Sequence, residues 1–255
     1  MTTTRSVLSV TTVALALAAL TACGSDGGGG TTPAAGSSAT TSASASTSPA
    51  PTDGKQLVTD ATDALDAADS FHISGTIADG SESLTLDVTY GADGTAAGTL
   101  EAADGASIEV RRVDGTVYAN GTAEFYAQAA AQDSTGPDLS SVAGTWVVVD
   151  DSAPDVLQGA VSFLDRDDLV DSLRPDGDAD ETYEISGPED VDGTSSYIVT
   201  DQDGDTFAVA AEGDPLPVEI SNNSDGDGSV SFDGYGDDVD VQAPDDSEIT
   251  PLPAS

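Results

Sequence analysis

Between residues 53 and 250 of its 255 residues, the chain predicts a single antiparallel α+β domain, a sheet with helices over one face. Three patterns carry that expectation. Apolar residues near the start of this region recur at three- and four-residue spacing, the period of an amphipathic helix. They then alternate with polar or small residues, the period of half-buried strands. Asp-Gly dipeptides punctuate the alternation, and Asp-Gly tolerates the positive φ angles of tight hairpin turns.

The elements follow in order. Leu57, Val58, Ala61, Leu65 and Ala68 form the helical stripe, with Asp60, Asp63 and Asp66 off it and Asp53 placed to cap the first turn. Leu84, Leu86, Val88 and Tyr90 alternate as a strand, as do Ile108 and Val110. Asp-Gly pairs at 79–80, 93–94, 104–105 and 114–115 make these runs a meander. The middle of the chain interrupts it. A short helix is expected over 123–132, a strand over 146–149, and a helix over 163–173 ended by Pro175. In that last helix Phe163, Leu164, Leu169, Val170 and Leu173 form the apolar face. Strands resume at 183–186, 196–200, 206–211, 218–221, 230–232 and 239–241, with turns at 192–193, 203–204, 214–215 and 225–226.

Ahead of the domain lie two segments of different character. Residues 1–22 read as a secretory leader: Arg5 supplies the positive charge, 7–20 the apolar stretch, and small residues precede the cleavage point. Leu20-Thr21-Ala22-Cys23 has the pattern of a bacterial lipobox. Cys23, the single cysteine, is expected to take up a diacylglyceryl group through its thiolate and become the lipidated N-terminus. Acyl methylenes are worth about 0.8 kcal/mol each when buried, so two or more chains anchor stably to a membrane. Residues 24–52, which complete a 23–52 anchor and linker, are almost entirely Gly, Ser, Thr, Ala and Pro and cannot bury enough apolar area to fold. As a coil the linker spans roughly 30 Å. Residues 251–255 are a tail.

Composition narrows the function. The formal net charge is −41, from 47 acidic and 6 basic residues. Too few cations are present to displace phosphate counterions, which argues against nucleic acid as a partner. With one cysteine there is no disulfide framework, so the domain is held by its core. His72, the one histidine, stands beside Phe71 with no nucleophile motif near it, and is expected to be structural or exposed. Gly27–Gly30 lie in the linker, not between a strand and a helix, so no phosphate loop and no cofactor motif is found. No catalytic residues are expected. Asp201, Asp203, Asp205 and Glu212 approach the spacing of a calcium loop, but Thr206 replaces the glycine of its sharp turn. Asn223, Asp225 and Asp227 with Gly228 turn better but lack the twelfth-position acid. Both stretches read more simply as hairpin turns, leaving at most weak calcium binding and no specific metal site.

Several stretches carry a family resemblance. Val113-Asp114-Gly115-Thr116-Val117-Tyr118 and Gly144-Thr145-Trp146-Val147-Val148-Val149 look like central strands of that family. Pro215-Leu216-Pro217-Val218-Glu219-Ile220, then Val230-Ser231-Phe232-Asp233-Gly234-Tyr235-Gly236 with Ala243-Pro244, look like its C-terminal signature. The chain resembles, over about 53–245, the actinobacterial lipoproteins of the LppX, LprA, LprF and LprG type. It departs from them in being far more acidic and in placing small residues at many strand positions. The resemblance implies a LolA-like half-barrel, a curved antiparallel sheet whose concave face and covering helices enclose an apolar cavity. It also implies carriage of an acylated lipid or glycolipid across the cell envelope, outside the cytoplasmic membrane.

On that reading Leu86, Val88, Ile108, Val110, Phe207, Val209, Ile220 and Phe232 are candidate lipid contacts, with Leu84, Val218 and Val230 beside them. Trp146 and Phe163 would lie near the mouth. Alternation shows an apolar face and does not show whether the face is filled, so the same residues equally suit a closed core. The alternative function, from another class, is an interaction module that offers its sheet edge or acidic face to another envelope protein.

Overall fold

The computed structural model describes residues 50–79, 82–132, 138–175, 182–222 and 228–253. Cys23, the leader, the linker to residue 49, Gly80 and the 223–227 turn lie outside the described residues. The first helix, α1 (Gly54–Ala67), starts where expected: Asp53 is extended, and its carboxylate accepts the Gln56 N–H at 3.1 Å. Leu57, Val58, Ala61 and Leu65 are buried along one stripe. Its C-terminal carbonyls are closed from a distance. The Arg166 guanidinium donates to the carbonyls of Leu65, Asp66 and Ala68 at 3.0, 2.7 and 2.6 Å, which also sets a cation at the negative end of the helix.

Eleven strands follow: β1 (Phe71–Asp79), β2 (Glu82–Tyr90), β3 (Ala96–Ala102), β4 (Ser107–Val113), β5 (Thr116–Gly121), β6 (Val147–Val149), β7 (Glu184–Val191), β8 (Thr194–Thr200), β9 (Thr206–Ala210), β10 (Pro217–Asn222) and β11 (Gly228–Asp233). They form one open antiparallel sheet in the order β6-β5-β4-β3-β2-β1-β11-β10-β9-β8-β7. The fold is therefore the α+β antiparallel class that the alternation predicted. Asp114-Gly115 and Asp192-Gly193 each close a two-residue hairpin with positive φ at both positions, as a type I′ turn requires.

Register aligns the apolar positions across the whole sheet. Ile185, Val199, Phe207, Ile220, Val230, Gly75, Leu86, Leu100, Ile108 and Gly121 are successive cross-strand partners in one row. Because side chains alternate along each strand, the row occupies a single face. Gly75 sits at the seam between β1 and β11, where a Cβ would run into the Ser229 carbonyl oxygen. The seam joins two meanders, β1–β6 and β7–β11.

Helices cover that face. α2 (Ala123–Gln132) packs on β4, α3 (Asp155–Val161) on β4–β6, a 3-10 turn (Ser162–Leu164) on β2–β4, and α4 (Arg166–Leu173) against α1. α1 itself covers β8–β10. Two buried clusters result: a larger one under α2, α3, the turn and α4, and a smaller one of Leu57, Val58, Ala61, Val199 and Val209.

Two expectations are corrected and one further element is found. The helix expected over 163–173 begins only at Arg166, because the Asp165 carboxylate accepts the Asp168 N–H at 3.2 Å and caps it there, leaving Phe163 and Leu164 in the preceding turn. Helix α3 was not foreseen; it is short and holds Gly159, so it shows little periodicity. The strand expected at 239–241 does not form. β11 already has β1 and β10 on its two sides, and the chain leaving it is held at the Gly236 N–H by the Ser70 carbonyl at 3.1 Å, so no sheet edge is in reach.

Candidate functional site

Most of the covered face is filled. Val88 and Val110 are fully buried, Leu86, Ile108 and Phe232 nearly so, and all five belong to the larger cluster. Val209 is fully buried in the smaller cluster, where Phe207 packs half-buried against it. Ile220 is half-buried beside the larger cluster. Tyr90 anchors this packing: its ring lies 4.7 Å from that of Phe71, and its hydroxyl donates to the Phe163 carbonyl at 2.6 Å. Burial pushes the Tyr90 phenol well above its ordinary pKa, so it remains a donor.

The cover is incomplete at one end. Between the ends of β2–β4 and the helices lies an apolar groove of about 240 Å³. Leu84, Leu100, Ala102 and Ile108 form its floor; Phe125 of α2, Val156 and Ala160 of α3, and Phe163 of the turn form its roof. Gln128 is its one polar lining side chain, and it donates outward to the Asp104 carboxylate. Ile77, in register with Leu84, is 42% exposed and continues the apolar floor beyond the roof.

Of the candidate lipid contacts, Ile108 and Phe163 meet in this groove. Leu86, Val88, Val110 and Phe232 lie in the packed core; Phe207, Val209 and Ile220 lie on the same face in the other meander. Trp146 is the exception. Val147 pairs with Ala119 of the covered face, so Trp146 points to the opposite one. There the Arg111 guanidinium stacks over its ring at 4.4 Å. Groove residues missed from sequence are Leu100, Phe125, Val156 and Ala160. Leu100 is flanked by Ala96, Ala97 and Gly98, which blur its alternation, and a Cβ on Gly98 would stand 2.5 Å from the Asp87 carbonyl oxygen.

Outside the covered face, His72 lies between two carboxylates, with Nδ1 2.9 Å from Asp233 and Nε2 3.2 Å from Asp87. Partial burial alone would lower its pKa; hydrogen bonds to Asp233 and Asp87 and their charges outweigh it, and the pKa is raised. Asp201 caps a hairpin: its Oδ1 accepts the N–H of Asp203 at 2.9 Å and of Asp205 at 2.8 Å. The carboxylate is occupied by main chain, as in an Asx turn.

No protein-family model and no curated protein matches the sequence. Among solved structures the chain is similar to the crystal structure of LprF from Mycobacterium bovis, at 15% identity and a TM-score of 0.44, covering 75% of this chain and 96% of that one. It is also similar to MucB in a complex structure of Pseudomonas aeruginosa MucA/MucB (18% identity, TM-score 0.31, 71% of this chain and 56% of that one). A further crystal structure of MucB matches at 20% identity and a TM-score of 0.30, over 77% of this chain and 64% of that one. The chain thus spans less than two thirds of the MucB chains. LprF is one of the lipoproteins that the sequence resembles, and at such identity nothing about ligand or partner passes from it to this chain.

Proposed function

We propose that this is a non-catalytic lipoprotein, anchored through Cys23 at the extracytoplasmic face of the cell membrane, that binds an acylated lipid or glycolipid. The groove at the ends of β2–β4 supports this reading most directly: its lining is apolar, and two aromatic side chains on short elements roof it. At about 240 Å³ it lies below the range of roughly 300–1,000 Å³ usual for small-molecule pockets. It holds a short stretch of one acyl chain, and a longer stretch enters when α2 and the 162–164 turn move off the sheet. Each methylene withdrawn from water contributes about 0.8 kcal/mol, so a few already favour entry. Leu86, Val88, Val110 and Phe232 supply the apolar floor such opening uncovers. Phe207, Val209 and Ile220 would join only if α1 lifts as well.

The test is native mass spectrometry of the Cys23→Ser chain, whose own anchor then contributes no acyl mass. A bound lipid lost on denaturation is the expected result, reduced in Ala160→Trp, which fills the groove from α3. Bare polypeptide after incubation with envelope lipids overturns the reading.

A further inference from the structure

The two edges of the sheet are built differently. β7 carries Glu184, Pro188, Glu189 and Asp190, and its register against β8 breaks between Ser186 and Glu189. Charge, proline and a bulge are the devices that stop an edge from accepting another strand. β6 has none of them; it is Val147, Val148 and Val149. Among the described residues its outer side is met at one point only. The Trp146 N–H donates to the Glu248 carbonyl at 3.2 Å, and the Thr250 N–H donates to the Trp146 carbonyl at 2.7 Å, making a parallel bridge to Ile249.

Beyond that bridge the edge is open. Both main-chain groups of Trp146 point outward to that bridge, so by alternation those of Val147 and Val149 face Ala119 and Val117 of β5 and those of Val148 point outward. Among the described residues no main-chain group bonds to either, and the Val148 side chain is 39% exposed. The chain from Ile249 does not continue the ladder. It forms, with Pro251 and Leu252, the far wall of a cleft of about 740 Å³ whose near wall is Val148. The lining carboxylates are Asp150 and Asp246, with Asp245 and Glu248 exposed beside them, and no Lys or Arg lines it.

We propose that the β6 edge at Val148 takes an extended segment of a partner protein as an added strand, and that this segment combines apolar with basic residues. Main-chain hydrogen bonds to Val148 supply the pairing, as in other strand-addition complexes. Apolar side chains meet Val148, Ile249 and Leu252, and basic ones meet Asp150 and Asp246. The charge of −41 disfavours a second copy or an acidic segment at this place.

The full chain is titrated with two synthetic decapeptides, one alternating Lys and Val, the other Glu and Val, while amide exchange is followed by NMR. The Lys/Val peptide binds and slows exchange of the Val148 amide, and the Glu/Val peptide does not bind. Val148→Pro removes the outward donor at a position where no internal hydrogen bond is lost, and weakens binding about tenfold. Should that variant distort β6, Asp150→Asn with Asp246→Asn leaves the edge intact and still weakens binding while flattening its salt dependence. Failure of the Lys/Val peptide to bind, equal binding of both peptides, or binding without protection of Val148 overturns the proposal. So does a dimer in sedimentation that Val148→Pro converts to monomer, since the edge would then belong to a second copy.

Discussion

The meander β1–β6 lies under α2, α3, the 162–164 turn and α4, whereas β7–β11 lies under α1 alone. The first buries a continuous cluster from Phe71 to Val149, which Phe232 of β11 joins at the seam; the second has as its own cluster only Val199 and Val209 beneath Leu57, Val58 and Ala61. Both halves share one sheet and one row of apolar positions, so the difference is one of cover rather than of strands. Stability and the apolar groove at the ends of β2–β4 therefore fall in the same half. A carrier that opened there would spend part of its main core.

Truncating matched leucines measures that difference. Leu86→Ala, in the larger cluster, should lower the unfolding free energy by about 4 kcal/mol, and Leu57→Ala, in the smaller and nearer the surface, by about 2 kcal/mol. Urea denaturation followed by Trp146 fluorescence checks both; equal losses would mean that the halves are cored alike. Arg166→Met removes the donor that closes the C-terminus of α1 from α4, beside the ion pairs of Arg174 with Asp63 and Asp66. A loss of about 1–2 kcal/mol is expected, since three carbonyls lose a charged partner but stay near water. Asp53→Ala should cost about 1 kcal/mol through the lost cap, read from the same titration.

The smallest effect tests the seam. His72 links β1 to Asp233 of β11 and Asp87 of β2. Its folded pKa is raised, so its stabilisation is complete below the unfolded value of about 6.5 and is lost as pH rises through the folded pKa. Both carboxylates are largely exposed, which holds the effect below about 1 kcal/mol. His72→Asn should flatten the dependence of stability on pH across neutrality. An unchanged slope would remove His72 from the seam's energetics.

Local signals carried most of the fold into the sequence. Asp53 with the 57–65 stripe fixed α1, and Asp114-Gly115 and Asp192-Gly193 fixed two hairpins, because each depends on residues a few positions apart. The helix start at Arg166 was displaced by three residues because Asp165 competes as a cap within an otherwise apolar run. Trp146 was misplaced because two-residue alternation shows faces, and only pairing with Ala119 shows which face is covered. The groove was readable only in part. Ile108 and Phe163 belonged to clear apolar runs, whereas Leu100, Val156 and Ala160 meet them through helix-on-sheet packing that no local period encodes.

The strand order has a consequence for how such a chain can be altered. β6 and β7 follow one another along the polypeptide yet stand at opposite borders of the sheet. The stretch between them must travel the full width, and in doing so it lays down α3, the 3-10 turn and α4. Cover and connection are the same piece of chain. Additions to that crossing would thicken or loosen the roof while every hairpin kept its partner, so roof and scaffold are free to diverge separately. Cutting the crossing would place new ends at the two borders, and β1 and β11 would still be paired at the centre.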